Sequence, residues 1–192
     1  MLASNSTYED QTFKALDARG SNLHKSSFTH VIFENCNFAD SNWRQANFCN
    51  CKFINCQLSL VKVDACRLQD IIFQGCKLVG VDFCKCAKIF LSLAILNSII
   101  QTCNFSELNL KRTSFKGSKL RETYFTSSDL TEANFTETEL PGTVFHQCNL
   151  AKADFRGAKN YAIDPGSNNI KKAKFSLPDV INLLNGYDIV IE

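Results

Sequence analysis

The chain has 192 residues, 45% of them hydrophobic, and its 21 basic and 19 acidic residues leave a formal net charge of +2. This length is typical of one domain, and a charge so close to zero excludes a uniformly acidic or basic surface and allows only local charged patches. The N-terminus MLASNSTYED lacks a basic segment followed by an apolar one, and the apolar stretch 89–100 is too short to span a membrane. We therefore expect no signal peptide, no membrane contact and a cytoplasmic location.

The N-terminal segment, residues 1–20, has only a weak apolar pattern. Phe13 fits the spacing described below, whereas Ala18 is small for its position. We expect this segment to form an N-terminal cap.

From residue 21 onward, every fifth residue is large and apolar. A period of five matches neither the helical period of 3.6 nor the strand period of 2. It fits a four-sided coil of twenty residues, with one pentad per side and the centre of each pentad pointing to the axis. Such repeats predict a solenoid, in which each unit buries its apolar face against its neighbours. The centres of the first run are Leu23, Phe28, Phe33, Phe38, Trp43, Phe48, Phe53, Leu58, Val63, Leu68, Phe73, Leu78 and Phe83.

In a second run, described below, the position two residues before each centre is small except at Leu108, because the inward-facing backbone leaves little room there. Coils stacked at a strand spacing of about 4.8 Å would form vertical columns of equivalent residues. With its ends, the rod would have about eight coils and a length of about 35–40 Å. Two of the predicted columns are Phe33, Phe53, Phe73 and Cys36, Cys56, Cys76.

The ten cysteines invite a disulfide or metal-binding interpretation. Most of them occupy the small inward position, where a buried free cysteine acts as a small hydrophobic residue. The closest pairs have Cys-x-Cys spacing instead of the Cys-x₂-Cys of zinc sites. We predict reduced, structural cysteines, with no metal and no cofactor. The inward cysteines are Cys36, Cys51, Cys56, Cys66, Cys76, Cys103 and Cys148.

The pentad spacing is interrupted between Phe83 and Phe105, which lie 22 residues apart, two more than four pentads. Within this stretch the small-residue pattern also fails, at Lys88 and Leu93. We predict a break in the solenoid at about residues 84–104. Two interpretations stay open, a two-residue insertion absorbed as a kink and a projecting loop that binds a partner.

The second run alternates strictly between Phe and Leu from Phe105 to Phe155, which places Phe on two opposite sides of the coil and Leu on the other two. Its outward charges are segregated along the chain. Basic residues fill 111–121, and the stretch from Glu122 to Ala151 contains five acids and no Lys or Arg. This acidic row is either an ordinary solvated face or a DNA-like array of carboxylates that attracts basic protein surfaces. The acids are Glu122, Asp129, Glu132, Glu137 and Glu139.

Residues 176–192 differ from the pentads. Ser176, followed by Pro178 and Asp179, predicts a helix N-terminus, and Asn185-Gly186 predicts its end. The apolar stretch 187–191 predicts a short strand. We expect this helix and strand to close the last coil and to dimerise by a symmetric end-to-end contact. The predicted dimer interface is Phe175, Leu177, Val180, Ile181, Leu183, Leu184 and Ile189.

The pentads over residues 13–175 resemble the pentapeptide-repeat family, which implies an all-β, right-handed quadrilateral β-helix. The mid-chain break and the C-terminal helix and strand are similar to the members that protect DNA gyrase, the quinolone-resistance and albicidin- or microcin-immunity types. That resemblance implies a homodimer joined through its C-terminal end, which binds DNA gyrase or topoisomerase IV partly by DNA mimicry. It implies no direct contact with nucleic acid.

The sequence does not favour an enzyme. His24, His30 and His146 are scattered on outward positions, and no Gly-rich phosphate-binding loop is present. Carried over from the resemblance, the partner-binding residues are the acidic row and four residues of the break, Phe90, Leu91, Ile95 and Leu96. The main alternative is a generic protein-interaction scaffold with an unknown partner. A direct nucleic-acid contact through 111–121 is the third hypothesis.

Overall fold

The computed structural model describes residues 2–187 and 189–190. They form a β-solenoid of about eight turns, as predicted. Each strand has only two to four residues, because one side of a coil holds a single pentad before the chain turns a corner. The strands of the described residues are β1 (Thr7–Glu9), β2 (Thr12–Lys14), β3 (Ser27–Thr29), β4 (Ile32–Glu34), β5 (Asn47–Cys49), β6 (Lys52–Ile54), β7 (Gln57–Ser59), β8 (Arg67–Gln69), β9 (Ile71–Gln74), β10 (Lys77–Val79), β11 (Leu93–Leu96), β12 (Ile99–Gln101), β13 (Lys119–Arg121), β14 (Val144–Phe145) and β15 (Ala162–Ile163).

The strands pair in parallel with the equivalent strands of the next coil and so build four sides. Three sides hold the sheets β1-β3-β5-β8, β2-β4-β6-β9-β11 and β7-β10-β12-β13. The fourth side is made by β14-β15 and by single parallel bridges, such as Asn22 with Asn42 and Tyr124 with Val144. The four-sided coil expected from the period of five is therefore confirmed.

The core consists of the pentad centres, and every centre predicted in the two runs is buried. The rings of Phe33 and Phe53 stack with centroids 4.9 Å apart, and those of Phe53 and Phe73 with centroids 5.0 Å apart. In the second run Phe115 and Phe135 stack at 4.9 Å. The predicted columns of stacked Phe residues are confirmed.

The corners between sides share a left-handed backbone conformation, which Asn and Gly adopt at low cost. One corner column contains Asn35 (φ 55°), Asn55 (φ 53°) and Gly75 (φ 64°). A Cβ atom on Gly75 would lie 2.3 Å from Oδ1 of Asn55. Glycine at position 75 thus leaves space for the asparagine side chain of the coil below.

The small inward positions hold the seven cysteines as predicted, all of them buried and free. Six of the seven thiols donate to carbonyls of the coil below; Sγ of Cys56, for example, lies 3.3 Å from the carbonyl oxygen of Phe33. The Cys66 thiol instead faces the carbonyl oxygen of Arg67 at 3.8 Å. Burial raises the pKa of the Cys51 thiol to about 11. Later coils use hydroxyls in the same way, as Oγ of Ser128 donates to the carbonyl oxygen of Phe105 at 2.8 Å.

The N-terminal boundary differs from the predicted cap of residues 1–20. Strands β1 and β2 already belong to the sheets, and Tyr8 stacks on Phe28 with ring centroids 4.9 Å apart. Phe13 stacks on Phe33 at 5.4 Å. Residues 7–20 therefore form the first coil, because Tyr8 and Phe13 lie twenty residues before two pentad centres.

The C-terminal helix is present as a 3-10 helix, Asp179–Leu184. Its N-cap is Pro178 and not Ser176, whose Oγ instead accepts a hydrogen bond from the Gly157 N–H at 2.9 Å. Tyr187, Ile189 and Val190 form no strand, and the remainder of the predicted strand, residues 188 and 191, lies outside the described residues. Across the described residues, no helix has the length and apolar character needed to cross a membrane.

Candidate functional site

The interruption of the solenoid is a turn formed by residues 88–92. Before it, the Ala87 N–H still donates to the carbonyl of Cys66, 21 residues earlier, at 2.9 Å. After it, Leu93 pairs with Ile71 at an offset of 22 residues, and the next side of the coil has the same offset, as in the pairing of Ile99 with Lys77. Two extra residues are therefore inserted on a single side of one coil. Within the predicted break at 84–104, the offset changes in this 88–92 turn, which follows a short 3-10 helix, Phe83–Lys85.

The 88–92 turn places two large apolar side chains in solvent. Ile89 is 72% exposed and Phe90 is 73% exposed. Phe90 has φ +61°, a left-handed conformation that is uncommon for a bulky residue. The core position on this side is filled instead by Leu91, which is partly buried against the core.

The structure separates the four residues predicted for partner binding at the break. Phe90 is exposed, and Leu91 and Leu96 are partly buried. Ile95 is completely buried as a pentad centre, so its assignment to a partner surface is wrong. Ile95 and Ile100 lie in phase with Phe105, and that spacing is the sequence signal that could have placed both of them in the core.

A groove of about 580 Å³ runs beside Phe90. Arg112 Nε donates to Glu132 Oε2 at 2.9 Å within it. Sequence reasoning missed the groove, because it joins side chains from three successive coils. The lining residues are Lys88, Phe90, Leu91, Asn109, Lys111, Arg112, Thr131 and Glu132.

The predicted acidic row is a set of ion pairs between neighbouring coils. Stacking at intervals of about twenty residues brings four of the five acids beside bases of the 111–121 segment. The pKa of Glu132 is lowered by hydrogen bonds from Arg112, the larger cause, and from Lys152. A hydrogen bond from Lys119 lowers the pKa of Glu139. The interpretation as a DNA-like array of free carboxylates is weakened accordingly. The pairs are Lys111–Asp129 (3.2 Å), Arg112–Glu132 (2.9 Å), Lys116–Glu137 (3.5 Å) and Lys119–Glu139 (2.6 Å).

Glu122, the fifth acid, occupies an exposed corner with φ 49° and lies against Gly142 of the next coil. Among the described residues, no group of three or more His, Cys, Asp or Glu side chains is placed to hold a metal ion.

The C-terminal end of the rod exposes apolar side chains. Leu177 is 81% exposed, and Ile181, Leu184 and Ile189 are also exposed. Of the other residues predicted for a dimer interface, Phe175 stacks on Phe155 with ring centroids 5.3 Å apart, and Val180 and Leu183 are partly buried. The end contact stays a prediction.

Comparison with known proteins gives a family and a fold. The family model of the pentapeptide repeat region matches residues 26–88 and 97–175. The unmatched residues between the two segments, 89–96, begin in the 88–92 turn. A search of curated proteins found no match.

Among solved structures, a trypsin-treated variant of QnrB1, a plasmid-mediated fluoroquinolone resistance protein, is 19% identical with a TM-score of 0.50, over 100% of both chains. HetL, a pentapeptide repeat protein involved in heterocyst differentiation regulation from the cyanobacterium Nostoc sp. strain PCC 7120, is 12% identical with a TM-score of 0.49, over 90% of this chain and 86% of that chain. At such identities the likeness concerns the fold alone. Because the family model matches most of its length, the chain belongs to the pentapeptide repeat family.

Proposed function

We propose that this chain is a non-catalytic protein that binds a type II topoisomerase, DNA gyrase or topoisomerase IV, and protects it from quinolone or toxin poisons. The observation that carries the proposal is the 88–92 turn, which adds the exposed side chains of Ile89 and Phe90 to an otherwise regular rod. Family membership is consistent with a binding role. QnrB1, which shares the fold, suggests a fluoroquinolone as the first poison to test.

The turn is a better candidate contact than the acidic row. A DNA mimic presents carboxylates that attract a basic surface, but here Asp129, Glu132, Glu137 and Glu139 are each paired with a base. Burying a fully exposed Phe side chain against a partner contributes about 1.5–3 kcal/mol. We therefore assign the main contact to Phe90 and a secondary, electrostatic role to the acidic row.

The second part of the proposal is a homodimer joined through the C-terminal end. An open solenoid end is liable to associate, and this one carries exposed Leu177, Ile181 and Leu184. A two-fold end-to-end contact would bury these side chains twice and give a rod of double length. Replacement of Ile181 with Asp is expected to give monomers, as measured by light scattering on the eluting protein.

The test of protection is gyrase supercoiling in the presence of a fluoroquinolone, with increasing amounts of this protein. The wild type is expected to restore supercoiling, and Phe90→Ser is expected to lose most of that effect. Leu60→Ser is the matched control, because Leu60 is also an exposed apolar corner residue with a left-handed backbone (φ 55°), on a coil before the insertion. This control should protect as well as the wild type.

Three results would argue against the proposal as stated. No recovery at micromolar protein would reject the topoisomerase contact and favour a scaffold for another partner. Inhibition without protection would keep the contact but make the protein a regulator. Full protection by Phe90→Ser would move the contact away from the turn.

A further inference from the structure

The groove beside Phe90 combines positive charge with an apolar wall. Three basic side chains, Lys88, Lys111 and Arg112, line it together with one acid, Glu132. Phe90 and Leu91 form the apolar part of the same lining. A ligand in this groove would meet a basic and an apolar subsite side by side.

Arg112 has donors to spare for such a ligand. Its side chain is 80% exposed, and among the described contacts only Nε is used, toward Glu132. The planar Nη edge of a guanidinium suits two-point binding of a carboxylate. Lys152 Nζ lies 3.1 Å from the other oxygen of Glu132 and so helps to hold the carboxylate that orients Arg112.

From these contacts we infer that the groove binds an acidic peptide segment of the partner, with an apolar side chain against Phe90 and Leu91 and a carboxylate on Arg112. The inference rests on the proposed function in one respect, since it takes the same turn as the contact site. It adds the chemistry of the partner segment. Lys88 and Lys111 also line the groove, but each is paired with an acid, so Arg112 is the base assigned to the carboxylate of the peptide.

A nucleic acid fits this surface less well. Each base of the groove has an acid nearby, with Lys88 3.3 Å from Glu107 and Lys111 3.2 Å from Asp129. These acids would repel a continuous phosphate backbone. The groove also has one exposed aromatic ring, whereas single-stranded nucleic acids are bound by several stacking rings in a strongly basic channel. A short peptide needs only one carboxylate, at Arg112, whereas a nucleic acid would place a phosphate charge along the whole groove.

The test is a fluorescence anisotropy titration with a short labelled peptide of repeated Glu-Leu-Gly units, at low salt. Wild-type protein is expected to bind this peptide and to discriminate against a Lys-Leu-Gly peptide and a thymidine oligonucleotide. Arg112→Gln and Phe90→Ser should each weaken binding about tenfold. Arg121→Gln, which removes an exposed base outside the groove lining, is the matched control and should bind normally. Thermal melting verifies that each variant is folded.

The inference would be overturned by undetectable peptide binding, by an equal loss in Arg121→Gln, or by tighter binding of the oligonucleotide. Because this assay contains no topoisomerase, it separates the two proposals. Specific peptide binding without protection of gyrase would retain the groove and reject the proposed function. If the wild type does not bind the peptide and Arg112→Gln still protects gyrase, the groove proposal is rejected and the proposed function is retained.

Discussion

The two halves of the rod, residues 7–87 and 93–175, build the same coil with different side chains. In the N-terminal half cysteine occupies the inward position at five of the thirteen pentads from Leu23 to Phe83, as at Cys51 and Cys56; in the C-terminal half this position is mostly Ser, Thr or Ala. The core centres differ as well. The first half mixes Phe with Trp43 and Val63, while the second alternates strictly between Phe and Leu from Phe105 to Phe155.

This difference shows which features the fold requires. The inward position favours a small side chain, although Ile71 and Leu108 are also buried there. In either half it can donate to a carbonyl 23 residues earlier, as Cys51 does to Phe28 at 3.4 Å and Ser128 to Phe105 at 2.8 Å. Packing is less uniform in the first half, where Trp43 and Val63 border a void of about 10 Å³. The regular Phe and Leu columns of the second half are therefore expected to contribute more stability per coil.

The largest expected effect is the removal of a ring from the second half. Phe135→Ala should lower the free energy of unfolding by about 3–5 kcal/mol, because Phe135 stacks between Phe115 at 4.9 Å and Phe155 at 4.8 Å. Val63→Ala should cost less than half as much, since it removes fewer atoms beside an existing void. Urea unfolding followed by circular dichroism measures both. A nearly neutral Phe135→Ala would contradict the stacked core.

Much of the fold of both halves could be predicted from the sequence, because residues that contact each other in a solenoid are separated by a fixed number of residues. The period of five gave the four sides, the buried centres, the Phe33–Phe53–Phe73 column and the inward cysteines. It could not place Phe90, which keeps the spacing of the second run but lies outside the core. Whether a residue at an insertion points inward depends on the backbone turn and not on its phase.

The candidate site was less predictable, since its parts come from different coils. The acids appeared to form a row because they follow the bases along the chain, yet stacking places Glu132 beside Arg112. Ser176 suited a helix N-cap by residue type, but a contact with Gly157 occupies its hydroxyl. Tertiary partners of this kind leave no local pattern in the sequence.

A smaller effect is expected when a residue at the inward position, two residues before a pentad centre, is replaced. Ser128→Ala should lower the free energy of unfolding by about 1–2 kcal/mol, because the buried carbonyl of Phe105 loses the Ser128 hydroxyl as a donor. Ser128→Cys, which introduces the residue used by the first half, should retain more of the stability, although a thiol is a weaker donor. Urea unfolding measures the free energy of unfolding of both variants. Equal decreases in the two would show that the size of the side chain at position 128, and not its hydrogen bond, determines its contribution to stability.

Deleting Ile89 and Phe90 would restore the twenty-residue spacing between the halves. We expect the free energy of unfolding to change by no more than about 1 kcal/mol, because neither side chain is buried. The same deletion should abolish both gyrase protection and binding of the acidic peptide. Deleting Ile72 and Phe73, also two residues but within β9, is the control and should unfold the protein. If the 89–90 deletion unfolds it too, the turn is required for the fold and not only for binding.

The smallest effect concerns the ion pairs between coils, which in the second half link three successive coils through Arg112, Glu132 and Lys152. Lys119 Nζ lies 2.6 Å from Glu139 and lowers the pKa of that carboxyl below its usual value of 4.5. A lowered pKa in the folded state stabilises the protein above the unfolded value and loses this contribution as the pH falls through the folded value. A double-mutant cycle of Lys119→Ala and Glu139→Gln should therefore show weak coupling at neutral pH and none once Glu139 is protonated. Salt should reduce the coupling, since both side chains are about half exposed. Coupling that persists at acid pH would mean that the two side chains interact by packing and not by charge.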